Sequence, residues 1–189
     1  MRPSLESLAI KYSSDKYYRH SYIPVYERLF QGVPVRRLLE VGIGFKDLMV
    51  PFLPKGVEYV HGSSLRMWRE YWPGADIYAC DIREDALIQE YRIISAVCDQ
   101  SKLRSLFDLK LWASNSRGCW FDVIIDDGSH QFNHQLLTAA VLLPTLVTGG
   151  VYVIEDTYPD KGAELAAMFG GELIVGSKTP DDCLVVIRK

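Results

Sequence analysis

Several things are scarce in this 189-residue sequence, and each shortage excludes something. Cysteine is one: Cys80, Cys98, Cys119 and Cys183 lie far apart and form no CxxC pair. That spacing argues against a disulfide framework and against a zinc cluster, and the four read as reduced core thiols. Basic charge is not in excess. Lys and Arg number 21 against 24 Asp and Glu, a net charge of −3, so double-stranded nucleic acid is not expected as a ligand. No apolar run suits a bilayer. The longest, Leu136–Val147, has 12 residues and contains Thr138, Pro144 and Thr145. The opening MRPSLESLAIKYSSDK lacks the continuous apolar stretch of a secretory signal. A cytoplasmic protein with no membrane contact is expected. Internal repeats, low-complexity tracts and linkers are also missing.

What is present is an ordinary globular balance, 48% hydrophobic and 24% charged residues. One domain over residues 1–189 is expected, since a chain of this size buries about 70% of its unfolded surface. From residue 37 onward, β-rich runs alternate with helical stretches, the pattern of an α/β domain with a mainly parallel sheet. Seven strands are predicted, at 37–41, 76–81, 92–99, 121–127, 150–156, 172–175 and 183–188. Runs such as DVIID and VYVIED are almost wholly apolar, as in central strands covered on both faces. The turn SKTPDD makes the last two strands a hairpin, so one of them runs antiparallel. Helices are predicted at 65–71, 84–90, 101–109, 131–146 and 161–169, and two more, 4–12 and 24–30, within an N-terminal segment of residues 1–35.

Chemistry concentrates where strands end. Leu38–Gly44 closes an apolar strand in E-x-G-x-G, with Glu40, Gly42 and Gly44, which permits a tight turn and close approach of a ligand to the backbone. The third glycine of a dinucleotide fingerprint is missing, because position 47 is Asp, and this disfavours a nicotinamide-dependent oxidoreductase. The next strand ends in Asp81, suited to a ribose diol, and the third in Asp99-Gln100-Ser101, where a helix-capping role competes with ligand binding. Between Gly44 and Asp81 an insertion, residues 45–63, lengthens the usual βαβ spacing and reads as one wall of a substrate pocket. Ser64 would then cap the helix that follows.

A denser cluster follows. The strand at 121–127 runs through Asp126-Asp127 into Gly128-Ser129-His130, with His134 four residues on, and the fifth strand ends in Glu155-Asp156. Adjacent parallel strands bring these acids to one sheet edge, where ligands bind in open α/β sheets. Crowded carboxylates suit a hard divalent ion such as Mg²⁺ better than zinc. The competing readings are an Asp-Gly turn with a Ser cap, and two solvated loop acids. His134 is expected to pack or support.

On KYSSDK and H-x-Y-x-x-x-Y-E-R-L-F (within Lys11 to Phe30), LLEVGIG, CDQS and FDVIIDDGSHQFNHQ…GGVYVIEDTY, the chain resembles the class I S-adenosylmethionine-dependent methyltransferases. Within them it is most similar to the metal-dependent macrocin and mycinamicin type of sugar O-methyltransferase. The resemblance implies a doubly wound, Rossmann-like sheet and an O-methyltransferase using S-adenosylmethionine and Mg²⁺. By that similarity Glu40, Gly42, Gly44, Asp81, Asp99, Gln100 and Asp126 hold the cofactor, and Ser64 and Arg66 face its methionine end. Asp127, Glu155 and Asp156 match the metal carboxylates, and His130 the general base. The implied partner is a small-molecule hydroxyl acceptor, a sugar or glycoside. A catechol-like or other vicinal-diol acceptor, and a cofactor-binding protein without turnover, are the alternatives. The chain departs from the macrolide enzymes in having only residues 1–35 before its first strand, where they carry a large N-terminal region. Substrate identity and oligomeric state, a homo-oligomer included, therefore do not carry over. Tyr12, Tyr17, Tyr18, Tyr22 and Tyr26 could flank a sugar, although Tyr26 and Phe30 at helical spacing favour the core.

Overall fold

The computed structural model describes residues 3–114 and 120–189. Cys119 falls outside them, whereas Cys80, Cys98 and Cys183 are free and buried. Eight strands form one sheet: β1 (Arg37–Val41), β2 (Asp76–Asp81), β3 (Gln89–Glu90), β4 (Ile93–Val97), β5 (Phe121–Asp126), β6 (Leu146–Ile154), β7 (Glu172–Val175) and β8 (Cys183–Arg188). Their order is β3-β4-β2-β1-β5-β6-β8-β7. The five strands from β4 to β6 are mutually parallel, and β8 runs antiparallel between β6 and β7. The expected hairpin is thus present, with its second strand inserted into the sheet. The chain crosses from β1 to β2 on one side and later returns to β5 on the other, so the end of β1 is the switch point of the sheet.

Side chains of successive strand residues feed two cores. Leu38, Ile77, Val123 and Val153 pack beneath the N-terminal helices α1 (Leu5–Lys11), α2 (Asp15–Tyr18) and α3 (Tyr22–Leu29), and α5 (Ser63–Tyr71). Leu39, Tyr78, Ile124 and Tyr152 pack on the other face, under α6 (Leu103–Ser114), α7 (Phe132–Leu142) and α8 (Pro159–Phe169). A short helix, α4 (Lys46–Met49), lies in the insertion.

Three departures from the sequence expectations have local causes. The helix expected over residues 84–90 is a single 3₁₀ turn, Glu84–Ala86, followed by β3, the eighth strand. Ser95 Oγ accepts from the amide of Ile88 and donates to its carbonyl, drawing that segment onto the sheet edge. The helix expected to reach residue 146 stops at Leu142, because Pro144 permits only a 3₁₀ turn, and β6 begins four residues earlier than predicted. Helix α5 starts at Ser63 with left-handed Gly62 as its cap, so Ser64 lies inside the first turn and is not the cap.

Gly42 follows β1 with φ +96°, and a Cβ there would overlap the carbonyl oxygen of Asp127. We expect Gly42→Ala to cost at least about 2–3 kcal/mol of stability, because overlap adds to backbone strain. Thermal denaturation checks this, and a melting temperature equal to wild type would overturn the packing account.

Candidate active site

Backbone hydrogen bonds continue one residue past the strands and lock their ends together. The amide of Gly42 donates to Cys80 O, that of Asp127 to Val41 O, that of Cys98 to Asp81 O and that of Glu155 to Asp126 O, at 2.8–2.9 Å. Between these ends lies a cavity of about 310 Å³ whose wall includes Gly42, Asp81, Asp99, Gln100, Ser129 and His134. Asp81 Oδ2 accepts from the amides of Ile43 (2.9 Å) and Gly44 (3.3 Å), and Oδ1 from that of Arg83 (3.0 Å). The carboxylate therefore holds the glycine turn in shape and remains on the cavity wall. Asp99 does cap the next turn: Oδ1 accepts from the amide and hydroxyl of Ser101. Lys102 and Ser101 hold its carboxyl down at about 2. Gln100 spans two strand ends, donating to Asp126 Oδ1 (2.5 Å) and accepting from Ser129 N (2.9 Å).

A second set of acids meets a lysine. Lys16, on α2, is buried, and its Nζ lies 2.6 Å from Asp127 Oδ2, 2.7 Å from Glu155 Oε2 and 3.3 Å from Glu40 Oε1. Those acids stand on or just beyond β1, β5 and β6, so one ammonium spans three adjacent strands. Tyr26 donates to Glu155 Oε1, and Trp68 Nε1 to Glu40 Oε2 (2.9 Å). Burial pushes Glu40 up to about 7 against the pull of Lys16, and pushes Asp126 up to about 7 against its bond from Gln100. Burial opposes ionisation of Asp127 too, but Lys16 and His130 more than offset it and hold that carboxyl well below the usual range.

On the outer side of Asp127 stands His130, with φ +57°, and beside it Asp156, with φ +54°. His130 Nε2 is 3.3 Å from Asp127 Oδ1, and Nδ1 is 3.6 Å from Asp156 Oδ2. One ligand atom from each of Asp127, His130 and Asp156 can be chosen so that all three lie within 4.8 Å of one another. Tyr22 donates to Asp156 Oδ1 at 2.7 Å, and His20 Nε2 lies 3.4 Å from Oδ2. Burial pulls the His130 imidazole down, but Asp127, Asp156 and Asp126 outweigh it and raise the ring to about 9.

The structure thus gathers Gly42, Asp81, Asp99 and Gln100 around one cavity, and Asp127, Asp156 and His130 at a second group beside it. Glu155 is the exception among the expected metal carboxylates: both its oxygens are directed to Lys16 and Tyr26. Arg66 is elsewhere, bonded to the His61 carbonyl and to Glu90 Oε1 (2.5 Å). Glu40 and Asp126 sit behind the cavity wall, fully buried. His134 lines the cavity and bonds Ser129 Oγ through Nδ1 at 2.8 Å. Tyr22 and Tyr26 are buried, as the core reading of Tyr26 anticipates. Sequence reasoning gave Lys16, His20 and Trp68 no role. Lys16 and His20 lie within the N-terminal motifs that carried the resemblance, which was the available signal.

No protein-family model matches the chain. Among curated proteins it is 35% identical over 156 residues to the 8-demethyl-8-alpha-L-rhamnosyl tetracenomycin-C 2'-O-methyltransferase of Streptomyces olivaceus, covering 82% of this chain and 38% of that protein. It is 33% identical over 164 residues to the mycinamicin VI 2''-O-methyltransferase of Micromonospora griseorubida, covering 83% and 37%. The chain therefore spans under two-fifths of the length of these relatives. Among solved structures it superposes on the MycE methyltransferase of the mycinamycin pathway, in complex with Mg, SAH and mycinamycin VI. That match has a TM-score of 0.67 at 34% identity over 82% of this chain and 39% of the other. An O-methyltransferase from Bacillus cereus shares the fold at 16% identity, with a TM-score of 0.58 over 98% and 90% of the two chains. Sheet order, strand-end chemistry and these matches agree: the chain belongs to the class I S-adenosylmethionine-dependent methyltransferases, among relatives that are sugar O-methyltransferases of natural-product pathways.

Proposed function

We propose that this chain transfers a methyl group from S-adenosylmethionine to a hydroxyl of a sugar or glycosylated natural product, with Mg²⁺ as the metal. The observation that carries this reading is His130 between Asp127 and Asp156, beside the cavity bounded by Gly42 and Asp81. The relatives' names supply the acceptor class. Three buried, unpaired cysteines, Cys80, Cys98 and Cys183, support action in the cytoplasm.

Both absent groups fit the residues present. For the cofactor, the turn at Gly42 has no room for a Cβ, and Asp81 faces the cavity with one lone pair of Oδ1 left for a ribose hydroxyl. Asp99 and Gln100 lie along the same wall, suited to adenine. For the cation, Asp127 Oδ1 and Asp156 Oδ2 are hard oxygens close together, in surroundings with more buried acid than base. When bound, S-adenosylmethionine supplies an electrophilic sulfonium methyl, and a divalent ion acidifies and orients neighbouring hydroxyls.

The chain's own residues do the rest. Asp127, Glu155 and Asp156 provide the negative charge, and Lys16 and Tyr22 fix how the first and last of them point. His130 takes the acceptor's proton. It can do so only as a neutral ring, and the two carboxylates flanking it favour the charged form. Compensating those carboxylates with a cation is what would free the ring to act. Residues 45–63 form the acceptor-side wall; Phe52 of that insertion stacks under the guanidinium of Arg19, at 3.9 Å.

Three outcomes are expected. Excess chelator should abolish methyl transfer to a glycoside acceptor and Mg²⁺ should restore it; full turnover without metal would refute metal dependence. His130→Ala should lower kcat by about 10²–10⁴-fold with cofactor affinity unchanged, and Asp81→Ala should instead weaken binding of S-adenosylhomocysteine in calorimetry. An inactive Asp81 variant with normal affinity, or an active His130 variant, would reverse these roles.

The third concerns pH. Glu40 and Asp126 rise from ordinary values of 4.5 and 3.8 to about 7, and His130 from 6.5 to about 9, in the folded protein. A group that binds its proton more tightly when folded stabilises at low pH and loses that contribution as pH rises through its folded value. In chelator, melting temperature should therefore fall between about pH 6 and 9, and Mg²⁺ should flatten the fall. Equal profiles with and without the ion would show that it does not bind beside these groups.

A further inference from the structure

Two of the cysteines that read as reduced core thiols stand in the wall of the cofactor cavity. Cys80 is the penultimate residue of β2, and Cys98 follows the last residue of β4. These strands are parallel neighbours, with Cys80 opposite Ala96, and the amide of Cys98 donates to Asp81 O at 2.8 Å. Cys98 thus lies two residues beyond the partner of Cys80, on the same face of the sheet, and both belong to the second core. Each directly precedes a cavity acid, Asp81 or Asp99. Both are buried from bulk solvent, yet both line the cavity of about 310 Å³, so a small molecule that enters it reaches them.

The two thiols have different surroundings. Ser105 Oγ donates to Cys98 Sγ at 3.6 Å and accepts from the amide of Asp99 at 2.9 Å. Cys80 holds the Cys98 thiol below its ordinary value against burial, with help from Ser105, whereas Cys98 and burial push the Cys80 thiol well up. Thiolate is the reactive form, so Cys98 is the nucleophile of the pair and Cys80 the thiol that follows. Their backbones are also held unequally. Cys80 lies within a strand flanked by β1 and β4, and its carbonyl accepts from the amide of Gly42 at 2.8 Å. Cys98 lies in the turn between β4 and α6.

We propose that Cys98 and Cys80 form an oxidisable dithiol, and that closing it to a disulfide shuts the cofactor cavity. The oxidant is a hydroperoxide. Its O–O bond breaks as the Cys98 sulfur takes the terminal oxygen, giving a sulfenic acid; the other oxygen leaves as alcohol, or as water from hydrogen peroxide, with the Cys98 proton. The Cys80 sulfur then attacks that of Cys98, the S–O bond breaks, and water leaves with the Cys80 proton. Two electrons have passed from the thiols to the hydroperoxide. Parallel strands about 4.8 Å apart, rising about 3.3 Å per residue, set such diagonal neighbours roughly 8 Å apart between Cα atoms. A disulfide spans at most about 7 Å without backbone movement. Cys98, the less tethered end, does the moving, and it carries Asp99 and Gln100 out of the cavity wall. A bond closed under such strain is readily reduced, as befits a reversible modification. The inference rests on the cavity being the site of S-adenosylmethionine.

Calorimetric titration of the intact chain with S-adenosylhomocysteine, before hydrogen peroxide treatment and after it with the excess removed, tests this alongside peptide mass mapping. In wild type, mapping should find Cys80 joined to Cys98, and affinity should fall at least about tenfold and return with dithiothreitol. Saturating S-adenosylhomocysteine should slow formation of the bridge, because coupling between ligand and bridge is reciprocal. Cys98→Ser, compared with its own untreated sample, should keep its affinity through the treatment. If that variant does not fold, Cys80→Ala replaces it: no bridge should form, and oxidation should stop at a Cys98 sulfenic acid that dimedone traps. Absence of the bridge from treated wild type, or a bridge that leaves affinity unchanged, overturns the inference. So does an equal loss of affinity in Cys98→Ser, which would assign the effect to Cys119 or Cys183. No binding of S-adenosylhomocysteine to reduced wild type overturns the reading of the cavity as well, whereas the mass map alone decides whether the dithiol closes.

Discussion

The contact on which the site depends is that of the Lys16 ammonium with Glu40, Asp127 and Glu155. Parallel strands end together, so acids placed at the ends of β1, β5 and β6 are forced within a few ångströms of one another in a largely buried place. Like charges at that spacing oppose folding. The sheet solves this with a cation brought from far away in sequence: Lys16 is 111 residues from Asp127 and 139 from Glu155. Because that cation rides on α2, the N-terminal segment must dock before the strand ends are neutralised. Tyr26, Phe30, Trp68 and Trp72 stack into the aromatic layer that seats it, with centroid separations of 5.0–6.0 Å. Apolar packing thus positions the lysine, and the lysine opposes the upward pull of burial on all three acids, prevailing at Asp127.

Backbone strain gathers at the same edge. His130 and Asp156 both hold left-handed φ values, which residues other than glycine seldom adopt, and Gly42, at the end of the neighbouring strand β1, has φ +96°. Such residues persist where the surroundings over-determine them. Here the strand-end hydrogen bonds do so, together with Tyr22, which bonds Asp156 through both its Oδ1 and its amide. The result is a pair of oxygens and an imidazole fixed by groups that themselves cannot move.

Much of this was legible in the sequence, for identifiable reasons. The apolar runs LLEV, DVIID and VYVIED each carry an acid at or next to their last residue, so strand and site announce themselves together. The resemblance to methyltransferases placed Gly42, Asp81, Asp127 and His130 at one edge. What could not be read is what depends on distant partners. Lys16 sits in KYSSDK, a polar stretch that by local criteria belongs at the surface; only the acids from β1, β5 and β6 make its burial sensible. Arg66 read as a cofactor contact by the resemblance, but its guanidinium is taken by Glu90, across the turn into β4. β3 is two residues long, and its pairing is fixed by the Ser95 hydroxyl, a bond with no sequence signature.

The insertion stands apart from this rigid edge, and the separation has a functional consequence. Phe52 rests on Arg19 and Phe45 lies under the Arg83 guanidinium, at 4.0 Å. Both are contacts of a kind that tolerates sliding, unlike the multiply bonded carboxylates behind them. On the function proposed above, residues 45–63 could change to suit a different sugar without disturbing the carboxylates and imidazole at the strand ends. That would let one set of strand ends serve relatives that methylate the 2'-position of a rhamnosyl tetracenomycin and the 2''-position of mycinamicin VI. The insertion and the strand-end carboxylates are thus different physical elements: half-buried to exposed and held by cation–π contacts in the first case, largely buried, charged and held by Lys16 in the second.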